Sequence, residues 1–151
     1  MNNKESIINS YLSFKLGNET YAAHVSKILK ILQLSEVTKV PNAPSNMKGV
    51  INHHGNVLPV IDLNQTLGLP ETIRTNNTCI IILSVEQGNN IINIGAIVDE
   101  VLNVENVNDE QISDPPSLGA NTLDHIVGVT KKDDTFIMIL DIDNIFKELK
   151  I

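Results

Sequence analysis

The sequence has 151 residues, 42% of them hydrophobic, and a formal net charge of −7 with a pI near 4.9. A chain of this length buries about 70% of its unfolded surface, which excludes a disordered segment and supports a core without staples. The acidic balance excludes nucleic acid and anionic lipid as main partners, since both require a basic face. Aromatic residues make up 3% and Trp is absent, so no stacking platform for bases or sugars is expected and the core falls to Ile, Val and Leu. The single cysteine, Cys79, allows no internal disulfide and is read as a small buried core residue. The N-terminal "MNNKESIINSY" lacks a signal peptide's apolar stretch, and no apolar run reaches the roughly 20 residues of a membrane span. A cytoplasmic protein without membrane insertion is expected.

In chain order, "YLSFKL" (Tyr11–Leu16) alternates as a strand, "GNE" turns, and "TYAAHV" returns as its hairpin partner. "VSKILKILQL" places Val25, Ile28, Leu29 and Leu32 at helical spacing but also suits a bent strand; a short helical turn followed by a strand is the reading adopted. "VPNAP" is a loop by its prolines. "MKGVINHHGNVLPVIDL" predicts a hairpin turning at His54-Gly55-Asn56, and "NQTLGL" a short helix or turn ending near Gly68. After a polar loop, "TCIIILSV" is a buried strand, "EQGNN" a turn, and "IINIGAIVDEVLNVENV" two strands bent at Asp99. "NDEQISDPPSLGANTLD" is the longest irregular segment. "HIVGV" and "TFIMILDI" close a last hairpin, and "DNIFKELKI" is an amphipathic C-terminal helix with Ile145, Phe146 and Leu149 on one face.

A repeat underlies this order. Gly49–Leu63 aligns with Gly128–Ile142: Gly49, Val50 and Asp62 recur as Gly128, Val129 and Asp141. Ala23–Ile31 aligns with Ala96–Val104: Ala23, Val25 and Leu29 recur as Ala96, Val98 and Leu102. Two related halves of short strands suggest two small closed barrels packed on a shared aliphatic core. Asp62 and Asp141 each close an apolar strand. Brought together they would resemble an acid pair sharing a proton, but no flexible glycine turn adjoins them; capping of the following helix is the plainer reading. His53 and His54, adjacent on a strand, should face opposite ways and so grip no ion together; His54 is read as a polar interface contact or a solvated turn residue. No nucleophile–base set and no phosphate cradle is legible. His24 is read as a satisfied structural histidine.

"YLSFKLGNETYAAHVSKILKI", "VPNAPSNMKGVINHHGNVLPVIDL", "IGAIVDEVLNVENV" and "HIVGV…MILDI" together resemble the CheW family, over nearly the whole chain. These coupling proteins link chemoreceptors to the histidine kinase CheA. The resemblance implies a mostly β fold of two pseudo-symmetric SH3-like five-stranded β-barrels. It implies one CheW-like domain over residues 11–146, after a tail at 1–10 and before the end of a C-terminal helix at 147–151. It implies no enzymatic activity and no cofactor or metal. The implied partners are the chemoreceptor cytoplasmic tip and the CheA regulatory domain. Receptor-facing candidates carried onto this chain are Ile28, Lys30, Asn52, His54, Val98 and Val101, suiting a helix laid in an aliphatic groove. Leu118, in the long irregular segment, is a candidate kinase contact or equally a plug over a barrel end.

The chain departs from the family pattern where "NHHG" replaces the usual "NLRG", putting His54 at an arginine position, and where Lys30 replaces a common acidic residue. Histidine lacks arginine's planar fork and permanent charge. Two alternatives follow: a CheW-like scaffold of a divergent pathway, such as a pilus or gliding system, or a small-molecule or enzymatic cleft between barrels using His54.

Overall fold

The computed structural model describes residues 7–44, 47–115 and 125–147. β1 (Ile8–Leu16) and β2 (Glu19–His24) form the first hairpin, and β1 opens earlier than the expected Tyr11. A 3-10 turn over Val25–Lys27 leads into β3 (Ile28–Gln33), so the ambiguous run is a helical turn followed by a strand. β4 (Met47–His53), β5 (Asn56–Asp62) and the short α1 (Leu63–Thr66) follow. The second half repeats the pattern with β6 (Cys79–Gln87), β7 (Asn90–Val98), β8 (Glu100–Asn108), β9 (Ile126–Lys132), β10 (Thr135–Leu140) and α2 (Ile142–Phe146). Leu149, expected on the last helix, lies outside the described residues.

The strands form two five-stranded sheets, β8-β1-β2-β10-β9 and β3-β6-β7-β5-β4. Each sheet has one parallel pairing, β2 with β10 and β5 with β7, at equivalent places. The halves exchange strands: the first hairpin joins three strands of the second half, and the β6–β7 hairpin joins three of the first. Each sheet is closed by an isolated bridge, Thr38 with Val50 on β4 and Ser113 with Val129 on β9. Glycine permits the closure. A Cβ on Gly49, whose φ is +146°, would stand 2.1 Å from the Thr38 carbonyl oxygen, and one on Gly128 would stand 2.4 Å from Ile112 Cγ2.

Side-chain alternation sorts residues into three cores. Ile80 and Ile82 of β6 point into the second barrel with Ile51, Leu58, Val60 and Ile97. Ile81 and Leu83 point the other way, into a core shared with Leu12, Phe14 and Leu16 of β1 and Phe146 of α2. The first barrel encloses Tyr11, Ala22, Val107, Ile137 and Ile139. "CIIIL" is continuously apolar because this strand is covered on both faces. Cys79 is only half-buried at its edge, where Sγ donates to the Asn77 carbonyl at 3.2 Å.

Candidate partner-binding surface

Asp62 and Asp141 are helix caps. Asp62 Oδ1 accepts from the Asn64 amide at 3.0 Å, and Asp141 Oδ1 from the Asn144 amide at 3.2 Å. Asp62 also accepts from the Thr72 amide and hydroxyl, at 2.8 and 2.7 Å, so its carboxylate is committed to structure. His24 is likewise structural: Nε2 meets Asn9 Oδ1 at 3.0 Å, Nδ1 accepts from the Ser26 amide, and the ring stands edge-on to Tyr11.

The two adjacent histidines sit at the tip of the β4–β5 hairpin. His53 pairs with Asn56, leaving a two-residue turn in which His54 and Gly55 have φ of 53° and 83°. Positive φ at both central residues matches the twist of the flanking strands. Asn52 Oδ1 accepts from the Gly55 amide at 3.0 Å and fixes the turn. His54 has therefore left the strand, and the alternation expected to separate the two rings does not apply. Their centroids stand 4.2 Å apart, steeply inclined. No group of three or more His, Cys, Asp or Glu is placed to hold a metal among the described residues. Partial burial, then His54, then the Lys30 ammonium hold His53 below the ordinary histidine pKa. Lys30 thus belongs to the same electropositive corner, although β3 and β4 lie at opposite ends of the strand order.

The candidate residues divide into two groups. Lys30, Asn52 and His54 are exposed around this hairpin tip. Ile28 and Val101 are half-buried and pack against the shared core, at equivalent places in the two halves. Val98 is fully buried in that core at 0% exposure, so it shapes the surface from beneath and offers a partner no atoms. Leu118 lies outside the described residues. Sequence reasoning passed over Leu29 and Ile31, exposed at 54% and 41% on β3, and Val104 of β8, the repeat counterpart of Ile31, exposed at 58%. The signal was present in "ILKIL": an apolar run too long for a strand that buries one face.

A family model, CheW-like domain, matches residues 10–150. The chemotaxis protein CheW of Bacillus subtilis is 34% identical over 129 residues, covering 85% of this chain and 80% of that protein. That of Treponema pallidum is 28% identical over 149 residues, covering 92% and 84%. Protein FrzA of Myxococcus xanthus is 28% identical over 121 residues, covering 80% and 73%. Among solved structures, the scaffolding protein TtCheW from Thermoanaerobacter tengcongensis superposes with a TM-score of 0.82 at 26% identity, covering 95% of each chain. The two exchanged barrels, the capped strand ends and this likeness over nearly the full length agree, and the chain belongs to the CheW-like domain family.

Proposed function

We propose that this protein is a non-enzymatic adaptor in chemotaxis signal transduction. It holds a chemoreceptor cytoplasmic tip and the regulatory domain of a CheA-type histidine kinase in fixed geometry. The observation that carries the reading is the pair Ile28 and Val101, half-buried at equivalent positions against one core, with exposed Leu29, Ile31 and Val104 on the same two strands. A helix offering aliphatic side chains buries surface there, while Lys30, Asn52 and His54 supply polar anchors at the hairpin tip. Such an adaptor has no chemistry to perform. It transmits receptor state only through different affinities for the receptor's conformations. The protein works in the cytoplasm and reaches membrane arrays through its partners; no described helix is long and apolar enough to cross a membrane.

Capture of the tagged protein from its own lysate, read by mass spectrometry, recovers a chemoreceptor and a CheA-type kinase together. Recovery of neither, where a known coupling protein succeeds, overturns the reading. Ile28→Glu and Val101→Glu abolish receptor binding, with Leu29→Glu as a variant whose exposed site leaves folding intact. The departures at Lys30 and His54 favour a second reading, a scaffold of a divergent pathway, which the identity of the captured kinase distinguishes.

A further inference from the structure

A cavity of about 570 Å³ opens beside the junction of the barrels, lined by the β1–β2 turn, α1 and the loop after it, and Asp99 at the β7–β8 bend. None of the candidate receptor contacts lines it. Its walls are apolar at Leu16, Tyr21, Leu69, Pro70 and Ile73, and its charged lining residues are all acidic: Glu19, Glu71 and Asp99. Glu71 is bonded to Lys48, which depresses its pKa. Glu19 and Asp99 have no cationic partner among the described residues. Asp99 accepts from the Gly17 amide and, at 3.2 Å, from Asn64 Nδ2. Asn64 Nδ2 also donates at 2.6 Å to the Thr72 hydroxyl, which donates in turn to Asp62 Oδ1. This chain of donors fixes the Asn64 amide, because both of its neighbours there need an N–H. Asn64 Oδ1 is thereby committed as an acceptor, and in a lining residue 2% exposed it has no donor among the described residues. The half-buried Asp99 ends this network at the cavity wall with no cation beside it among the described residues.

The repeat supplies an internal control. Because Asp62 aligns with Asp141, Asn64 aligns with Asp143. At that second corner Asp143 accepts from the Glu86 amide at 2.8 Å, as Asp99 accepts from Gly17, and its other oxygen meets Lys27 Nζ at 2.6 Å. Lys27 comes from the β2–β3 connection, and Asp99 from the corresponding β7–β8 connection. The second corner therefore carries its own cation. The first takes Asp99 from its connection, the repeat counterpart of Ser26, with Glu100 at the counterpart of Lys27, and it has a cavity and an acceptor without a donor among the described residues.

We propose that this cavity binds an organic cation, an ammonium or guanidinium group on a short apolar stem. The charged head lies toward Asp99 and Glu19 and gives its remaining hydrogen bonds to the floor around Asn64. The stem packs on Leu16, Tyr21 and Leu69. The volume falls in the range of small-ligand sites. The cation arrives either as a free amine or as a basic side chain of a partner, and the chemistry is the same.

The test is an amide-resolved NMR titration of the full chain with n-butylguanidinium and n-butylammonium, beside n-butanol and magnesium chloride. Saturable shifts at the Gly17 and Thr72 amides and the Asn64 side chain, with the cations but not the alcohol, are expected. Asp99→Asn weakens binding roughly tenfold and Glu19→Gln roughly threefold, as losses of charge-assisted bonds. Glu19 is exposed and makes no tie that folding needs, so its variant stays informative if Asp99→Asn melts early. An arginine tripeptide with blocked termini separates the sources: binding equal to that of n-butylguanidinium assigns the site to a partner's side chain, and binding of the small cations alone assigns it to a free amine. Absence of saturation overturns the proposal, as does an equal response to n-butanol, a response to magnesium alone, or unchanged affinity in both variants.

Discussion

Asp62 and Asp141 occupy one position of the repeat, yet they carry different weights. Asp62 is buried and receives three donors, whereas Asp141 is half-exposed and caps a short helix. Asp62→Ala is expected to cost about 3 kcal/mol and Asp141→Ala about 1 kcal/mol, because the first strands several charge-assisted bonds. Urea unfolding of both variants checks this; equal losses would contradict the assignment. Capping was legible in the sequence because an aspartate closing an apolar strand before a polar turn has few other tasks. The pairing of the histidine rings was not, because it rests on a backbone angle at His54 that alternation does not encode. His53 offers a second test. Its pKa is lowered, so between the folded and ordinary values the unfolded chain binds more protons, and this contribution to stability is present above the ordinary value and lost as pH falls below it. Lys30→Gln removes a neighbouring positive charge, so the His53 ring then titrates at higher pH, as ¹H NMR of the imidazole protons reads directly.

At the level of elements, the recurrence of Gly49 as Gly128 was visible in the sequence, but its cause was not. Both lie where an outer strand meets the segment that closes the barrel, a contact between residues far apart in pairing order. The two are not equivalent in tolerance. At Gly49 an added methyl meets a backbone carbonyl in a left-handed conformation, which nothing nearby can relieve. At Gly128 it meets the γ2 methyl of Ile112, which yields only if that β-branched side chain shifts, with the Ser113 carbonyl oxygen 3.3 Å away, but in a backbone conformation that alanine accepts. Gly49→Ala is expected to cost about 3 kcal/mol or more, and Gly128→Ala about 1 kcal/mol, by thermal unfolding. The strands themselves were legible from their alternation and turn residues, and β6 from its doubly apolar run. Val98 was misread as a surface residue because a strand buried on both faces gives no alternation from which to read its outward side.

At the level of the whole molecule, both barrels were legible as a repeat, whereas the exchange of strands between halves was not: periodicity fixes which face a residue takes but not which sheet its strand joins. The shared core couples the barrels thermodynamically, because it draws Leu12, Phe14 and Leu16 from one sheet and Ile81 and Leu83 from the other. Thermal unfolding followed by tyrosine absorbance, which reports Tyr11 inside the first barrel and Tyr21 in the shared core, and by far-ultraviolet circular dichroism is therefore expected to give one coincident transition. Two separated transitions would show that the barrels melt independently.

The same exchange sets a timetable during synthesis. The second barrel is complete once the ribosome has passed Val98, since its five strands run without interruption from β3 to β7. The first hairpin, made earliest, waits longest: its flanks are taken by β8, which follows β7, and by β10, the last strand of the described residues. Until β8 emerges both edges of the hairpin are unpaired, and until β10 one still is, the form most prone to capture another chain. A pause in translation after β7 would prolong that exposure, and one after β10 would not.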